Sequence, residues 1–170
     1  MTGVQTCALP ISGSYAIAAA HHHPTLACTV LDLPAVCEVT RSYADQYRGG
    51  DRVAVAPGNM FKDPWPTDHD HALFCDIFHD WDDERCVWLA ARARAAVGAG
   101  GKVTLHEMLL GDSGDGPLAA VAYSMAMIFS TQGQQRTGAE LTAILRAAGL
   151  TDVTITPTSG GYAAITGTAP

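Results

Sequence analysis

Short apolar runs alternate with polar or glycine-containing segments along most of this chain of 170 residues. Compact apolar runs between turn residues predict buried strands, and longer stretches with helical spacing predict helices. The predicted strands are 26–31, 52–56, 71–76, 102–108, 152–156 and 162–166. The predicted helices are 16–20, 34–47, 82–97, 118–129 and 137–149.

Strands that alternate with helices predict a parallel sheet with helices on both faces. Ser159-Gly160-Gly161 joins the last two predicted strands. A turn this short cannot make a parallel crossover, so these two strands must be antiparallel. We therefore expect one α/β domain whose sheet is mostly parallel and ends in an antiparallel hairpin.

Composition narrows the classes of function. A hydrophobic fraction of 48% with 16% charged residues is typical of a globular protein. The net charge of −7 argues against nucleic-acid or anionic-membrane partners, and no apolar run approaches the ~20 residues of a membrane span. The five cysteines lack metal-site spacing, which indicates reduced thiols and a cytoplasmic protein. We expect no metal site.

The first eleven residues differ from the rest. Their sequence, MTGVQTCALPI, resembles the translation of a sequencing-library adapter and fits no signal peptide. We expect residues 1–11 to be non-native and residues 12–170 to be the native domain. Residues 1–11 should then pack poorly or take the position of a missing first strand.

Three polar side chains, those of Asp32, His79 and Glu107, lie at or just after the ends of predicted strands, at the sheet edge where open α/β folds bind ligands. Asp32 suits the hydroxyls of a ribose, although it could equally cap the helix that begins at Pro34. His79 is placed to accept a proton at neutral pH, with Asp80 or Glu107 orienting its ring. Asp80 also suits the N-terminus of the next helix.

Other candidates have competing structural interpretations. Gly58-Asn59-Met60-Phe61 could enclose a planar ring, or it could be a polar turn with Phe61 in the core. The Met-rich helix that contains Met125 and Phe129 is predicted to lie in the core, where it could also line a pocket for a flat ligand. His21, His22 and His23 indicate a solvated helix end.

The ordered set of motifs resembles the S-adenosylmethionine-dependent small-molecule O-methyltransferases, the family with plant caffeic-acid-type and bacterial secondary-metabolite members. The matching segments are Ser12–Ala16, Leu31–Pro34, Gly58–Phe61, Phe78–Trp81, His106–Leu110, Gln135–Thr137 and Ala147–Leu150. The resemblance implies a Rossmann-like methyltransferase sheet. It also implies S-adenosyl-L-methionine as cofactor and a small hydroxylated acceptor.

The resemblance assigns roles to residues. His79 would be the base, with Glu107 and Asp80 beside it. The cofactor contacts would be Gly13, Asp32, Leu33, Gly58, Asn59, Met60, Phe61 and Cys75. Met125 and Phe129 would contact the acceptor.

Several positions depart from the family pattern. Asn59 replaces an Asp, Cys75 stands where plant members often have Lys, and Gln135 replaces a Glu near the base. The family's first strand, most of its glycine-rich loop and its N-terminal dimerisation domain have no counterpart. We therefore expect a truncated and inactive piece of a dimeric enzyme. The alternatives are a non-catalytic binding fragment, C- or N-methyl transfer and, less favoured, a nicotinamide-dependent dehydrogenase.

Overall fold

In the computed structural model, residues 3–8 are described by their backbone and residues 13–170 in full. The helices are α1 (Ser14–His22), α2 (Pro34–Ala44), α3 (Asp83–Val97), α4 (Leu118–Ser130) and α5 (Gly138–Ala147). The strands are β1 (Gly3–Ala8), β2 (Ala27–Asp32), β3 (Val53–Pro57), β4 (His71–Cys75), β5 (Lys102–Met108), β6 (Thr151–Pro157) and β7 (Tyr162–Thr168). None of the described helices is long and apolar enough to cross a membrane.

All seven strands form one sheet in the order β3-β2-β1-β4-β5-β7-β6. The first five strands along the chain pair in parallel, whereas β7 runs antiparallel to both β5 and β6. The predicted α/β architecture, with a parallel sheet and an antiparallel hairpin, is confirmed. β1 lies inside the sheet, between β2 and β4. Residues 3–8 therefore take the position of the missing first strand, which is one of the two outcomes expected for residues 1–11. Residues 1, 2 and 9–12 lie outside the described residues.

Helices cover opposite faces of the sheet because neighbouring residues of a strand point to opposite sides. On one face, Cys28 and Val30 of β2 pack against Ala16 and Ala20 of α1. On the other face, Leu31 belongs to the larger core formed with α3 and α5. The small alanines allow α1 to lie close to the sheet.

Local sequence explains where several helices begin and end. α2 has a proline in its first turn, and α3 starts after Asp82, whose side chain accepts a hydrogen bond from the Arg85 amide. The predicted capping box of Thr137 and Glu140 opens α5. α2 ends at Ala44, three residues before the predicted limit of 47.

Candidate active site

The candidate residues meet at one edge of the sheet. Asp32 ends β2, Gly58 follows β3, Cys75 ends β4, and Glu107 lies near the end of β5. These strands are parallel, so their carboxyl ends share an edge. The strand order reverses between β1 and β4, and this is where α/β sheets open a crevice for ligands.

A tight turn after β4 carries His79. It begins at Asp76, whose backbone φ is 53°, and continues as a 3₁₀ turn over Phe78–Asp80. Oε1 of Glu107 accepts hydrogen bonds from the backbone amides of Ile77 (3.0 Å) and Phe78 (2.8 Å). Glu107 is only 2% exposed, so a buried carboxylate fixes the turn from the neighbouring strand.

The His79 ring is held from its Nδ1 side. Nδ1 lies 2.9 Å from Oε2 of Glu107 and 3.2 Å from the side-chain amide of Gln135. A carboxylate accepts the stronger, charge-assisted bond, so it favours the tautomer in which Nδ1 carries the proton. The Gln135 atom at 3.2 Å is the amide nitrogen Nε2, and Oε1 of Gln135 is buried with no hydrogen-bond partner among the described residues. A 180° turn of this amide, which exchanges two atoms of nearly equal shape, gives the protonated Nδ1 an oxygen instead of an NH₂ group. Nε2 keeps its lone pair, 3.6 Å from Oδ1 of Asp80.

The electrostatic surroundings of His79 act in opposite directions. Burial lowers the pKa of His79, whereas the hydrogen bond and charge of Glu107 and the charges of Asp80 and Asp76 raise it; the net pKa is raised. Burial also raises the pKa of Asp80, against the opposing influence of His79. The imidazole is therefore a stronger base than a free histidine.

Two residues that the sequence analysis did not assign to the site support the turn. The guanidinium of Arg136 donates to the carbonyls of Phe78 (2.7 Å) and Trp81 (2.8 Å) and to the carboxylate of Asp83 (2.7 Å). A Cβ on Gly133 would lie 2.3 Å from the carbonyl oxygen of His79, so only glycine fits there. Arg136 belongs to the matching segment Gln135–Thr137, but only the fold shows what it contacts.

The second part of the site is centred on Asp32. Oδ1 of Asp32 accepts a hydrogen bond from the Leu33 amide (2.7 Å), while Oδ2 is buried with no hydrogen-bond partner in the described part of the chain. Burial raises the pKa of Asp32, and the Leu33 amide partly offsets this. A buried carboxylate oxygen without a partner suits a ligand hydroxyl. Gly58 lies beside it, because its amide donates to the Asp32 carbonyl (2.8 Å).

The turn after β3 is more structural than the sequence suggested. Oδ1 of Asn59 accepts a hydrogen bond from the Phe61 amide (2.9 Å), which leaves the Asn59 NH₂ group for other contacts. The Phe61 ring packs against Trp81 and Trp88, with ring centroids 4.7 and 5.7 Å away. Met60 is half-buried against the same core. Of the two interpretations of Phe61, the structure shows the packing one.

The remaining cofactor candidates lie near the crevice. Gly13 precedes α1 with a φ of 65°, and a Cβ there would lie 2.6 Å from Cγ2 of Thr40. The Cys75 thiol is buried, and burial strongly raises its pKa, so it stays neutral. Leu33 contributes its backbone amide, while its side chain is half exposed.

The prediction that the Met-rich helix lies in the core is wrong for Met125 and Phe129. Their side chains are 51% and 83% exposed, and Ala120 is the buried residue of α4. The helix is apolar around its circumference, so sequence alone could not show which side faces the sheet. Tyr123 faces the base, with its ring centroid 5.0 Å from that of His79. The acceptor-contact role of Met125 and Phe129 stays a prediction.

Two other features could be taken for binding sites: a cavity away from His79 and a cluster of possible metal ligands that includes it. A cavity of about 550 Å³ lies between α1 and α2, lined in part by His22, Tyr43 and Tyr47, and does not include His79. Atoms of Asp76, His79 and Glu107 lie within 4.8 Å of one another, a spacing that a metal ion could use. Oε1 of Glu107 accepts two backbone amides, whereas Oε2 is buried and has the His79 ring as its close polar neighbour, with Nδ1 at 2.9 Å.

The chain matches the O-methyltransferase domain family over residues 11–151. It belongs to this family. A relative from Streptomyces sahachiroi, 3-hydroxy-5-methyl-1-naphthoate 3-O-methyltransferase, is 37% identical over 142 residues, which are 84% of this chain and 41% of the relative. Acetylserotonin O-methyltransferase of Bos taurus is 34% identical over 91% of this chain and 44% of that protein.

Solved structures of this O-methyltransferase family agree with the fold. Human N-acetylserotonin methyltransferase in complex with SAM superposes with a TM-score of 0.88 at 28% identity, over 98% of this chain and 47% of that one. An O-methyltransferase family 2 protein from Planctomyces limnophilus, in complex with apigenin, gives a TM-score of 0.90 at 29% identity, over 98% of this chain and 50% of that protein. The chain thus spans less than half the length of the curated relatives described above. The family resemblance and the methyltransferase fold inferred from the motifs are confirmed.

Proposed function

We propose that this chain carries the cofactor-binding part and the catalytic base of an S-adenosylmethionine-dependent O-methyltransferase whose acceptor is a hydroxyl of a small aromatic molecule. The observation that carries the proposal is the 2.9 Å contact between Nδ1 of His79 and Oε2 of Glu107, which leaves Nε2 free as a base. The two O-methyltransferase relatives described above support the class of reaction.

The residues divide the work between binding and proton transfer. When bound, S-adenosylmethionine supplies an electrophilic methyl group on a sulfonium. The free Oδ2 of Asp32 would accept a hydrogen bond from a ribose hydroxyl, and the turn of Gly58, Asn59 and Met60 would lie against the adenine. Nε2 of His79 would take the proton of the acceptor hydroxyl, which makes the oxygen nucleophilic. Glu107 would orient the ring and stabilise the imidazolium.

The decisive experiment follows transfer of a labelled methyl group from S-adenosylmethionine to N-acetylserotonin, apigenin or the hydroxynaphthoate. The chain is tested alone and as a chimera in which residues 12–170 replace the matching part of the Streptomyces relative. We expect the chain alone to be inactive and the chimera to transfer label. His79→Ala should lower turnover of the chimera by ~10²–10⁴-fold with unchanged cofactor affinity.

The control is His22→Ala, because His22 is exposed at the end of α1. Equal turnover of wild type and His79→Ala would contradict the base assignment. Cofactor binding without transfer by any chimera would favour the alternative of a non-catalytic binding fragment.

We also propose where the whole protein works and how it assembles. The family resemblance favours a homodimer formed through an N-terminal domain, in secondary metabolism. Cys28, Cys37, Cys75 and Cys86 are free and buried, which supports a reducing, cytoplasmic setting. The family match begins at residue 11, so residues 1–10 lie outside it, which supports all but the last residue of the non-native segment expected at 1–11. The parent nucleotide contig would test that boundary.

A further inference from the structure

Aromatic rings gather beside His79. The Tyr123 ring lies 5.0 Å from the His79 ring, measured between centroids. The His106 ring lies between Tyr15 and Tyr162, with centroid distances of 5.3 and 5.1 Å. Tyr15 belongs to the first turn of α1, so the cluster extends from the cofactor side of the crevice to the base.

Asp76 lies among these rings and has no part in the mechanism above. The Tyr162 hydroxyl interacts with its carboxylate, and its Oδ1 is 3.9 Å from Nδ1 of His79. That oxygen is buried and has no hydrogen-bond partner among the described residues. Asp76 also holds a left-handed φ of 53°, an uncommon conformation for a residue other than glycine. Strain of this kind is concentrated at functional sites.

The surroundings of Asp76 disfavour its negative charge, which a bound cation would stabilise. Burial and then the charge of Glu107 raise the pKa of Asp76, with His79 acting in the opposite direction. Burial is also the largest cause of the raised pKa of Tyr15, Tyr123 and Tyr162, and the Asp76 charge adds to it in each case. A bound cation would relieve this repulsion, and aromatic faces with a carboxylate are the groups that bind onium ions.

We propose that Asp76, together with Tyr15, Tyr123 and Tyr162, forms the site that binds the sulfonium of the methyl donor. The proposal rests on the proposed function. Asp32 ends β2 and Asp76 follows β4, and one strand, β1, separates β2 from β4. A donor whose ribose lies on Asp32 would therefore place its sulfonium across β1, beside Asp76 and His79. Loss of the methyl group turns this cation into a neutral thioether, which the site would not favour.

The test compares the affinities of the chain for S-adenosylmethionine and S-adenosylhomocysteine by isothermal titration calorimetry. Asp76→Asn removes the charge and keeps a residue that tolerates left-handed backbone. It should weaken S-adenosylmethionine binding by roughly 5–30-fold and change S-adenosylhomocysteine binding by less than about twofold. Sinefungin, which has an ammonium in place of the sulfonium, should follow S-adenosylmethionine. Asp51→Asn, an exposed site at the opposite edge of the sheet, is the control of equal charge change.

A second variant, Tyr162→Leu, removes one ring and should also weaken binding of the two cations selectively. Equal losses for cation and thioether would place Asp76 on the amino-acid end of the ligand and overturn the proposal, as would no loss for either. Failure of the proposed function looks different. In that case the wild-type chain would bind neither ligand, and the proposed sulfonium site would be rejected together with the proposed function.

Discussion

One carboxylate, that of Glu107, performs two tasks for His79. Its Oε2 lies 2.9 Å from Nδ1 of the His79 ring, and its Oε1 accepts the backbone amides of Ile77 and Phe78, the two residues that precede His79. The position of the base and its tautomer therefore depend on the same side chain.

Glu107→Gln should separate these tasks. The amide oxygen can keep both backbone contacts, but the NH₂ group would donate to Nδ1 and move the ring proton to Nε2, where the base is needed. In the chimera we expect turnover to fall at least about tenfold, by no more than in His79→Ala, whose loss is ~10²–10⁴-fold. Affinity for S-adenosylhomocysteine should change little.

The control for Glu107→Gln is Glu38→Gln, the same chemical change on the exposed side of α2. Full turnover by Glu107→Gln would show that His79 needs no carboxylate to fix its tautomer.

The rate should depend on pH through His79. Its pKa is raised above the ordinary 6.5 by Glu107, Asp80 and Asp76, against burial, and only the neutral ring can accept a proton. The acidic limb of turnover should therefore have its midpoint above 6.5. Asp80→Asn removes one of the charges that raise this pKa, so its limb should move to lower pH. If Asp80→Asn instead moved the acidic limb of the chimera to higher pH, the assignment of this limb to His79 would be contradicted.

Asp32 should matter for binding and not for proton transfer. Asp32→Ala removes the carboxylate oxygen that has no partner, and we expect a loss of ~1.5–3 kcal/mol in S-adenosylmethionine binding. The thioether product should lose as much, because both ligands carry the same ribose. Asp51→Ala serves as the control in the calorimetric comparison. Unchanged affinity would remove Asp32 from the site.

Arg136 should contribute to stability through the turn that carries the base. It is buried, and Arg136→Met would remove the charged donor of the Phe78 and Trp81 carbonyls and leave both with the weak thiol donor of Cys86. We expect the free energy of unfolding to fall by about 3 kcal/mol in urea denaturation, because two hydrogen bonds from a charged donor are lost at ~1.5–3 kcal/mol each. Arg146→Met, at an exposed position in the last turn of α5, should change it by less than about 0.5 kcal/mol. Similar losses in both variants would contradict the proposed role of Arg136.

The sequence predicted residues whose role follows from where a strand ends. Asp32, His79 and Glu107 belong to this group, because a polar residue after an apolar run is placed at the sheet edge by local pattern alone. Strand β5 has the predicted bounds, and β2 is displaced by one residue because Asp32 still pairs with Pro57.

What the sequence could not predict depends on contacts between distant segments. Arg136 meets Phe78 across 58 positions of the chain, and Gly133 is required only because the backbone of His79 passes so close. The left-handed backbone of Asp76 has no signature in its neighbours. The exposure of Phe129 was also hidden, since an apolar helix does not reveal whether anything covers it.

The central strand has a consequence for how the two parts of the site are held together. β2 and β3 lie on one side of β1, and β4, β5, β7 and β6 lie on the other. Asp32 and His79 therefore belong to different blocks of the sheet, and the hydrogen-bonded ladder between the blocks runs through Gly3–Ala8, which precedes the family match. Strand pairing is made by backbone atoms, so many sequences could fill that position. The distance between the proposed ribose site and the base is thus set by the width of strand β1, whose side chains take no part in the proposed chemistry.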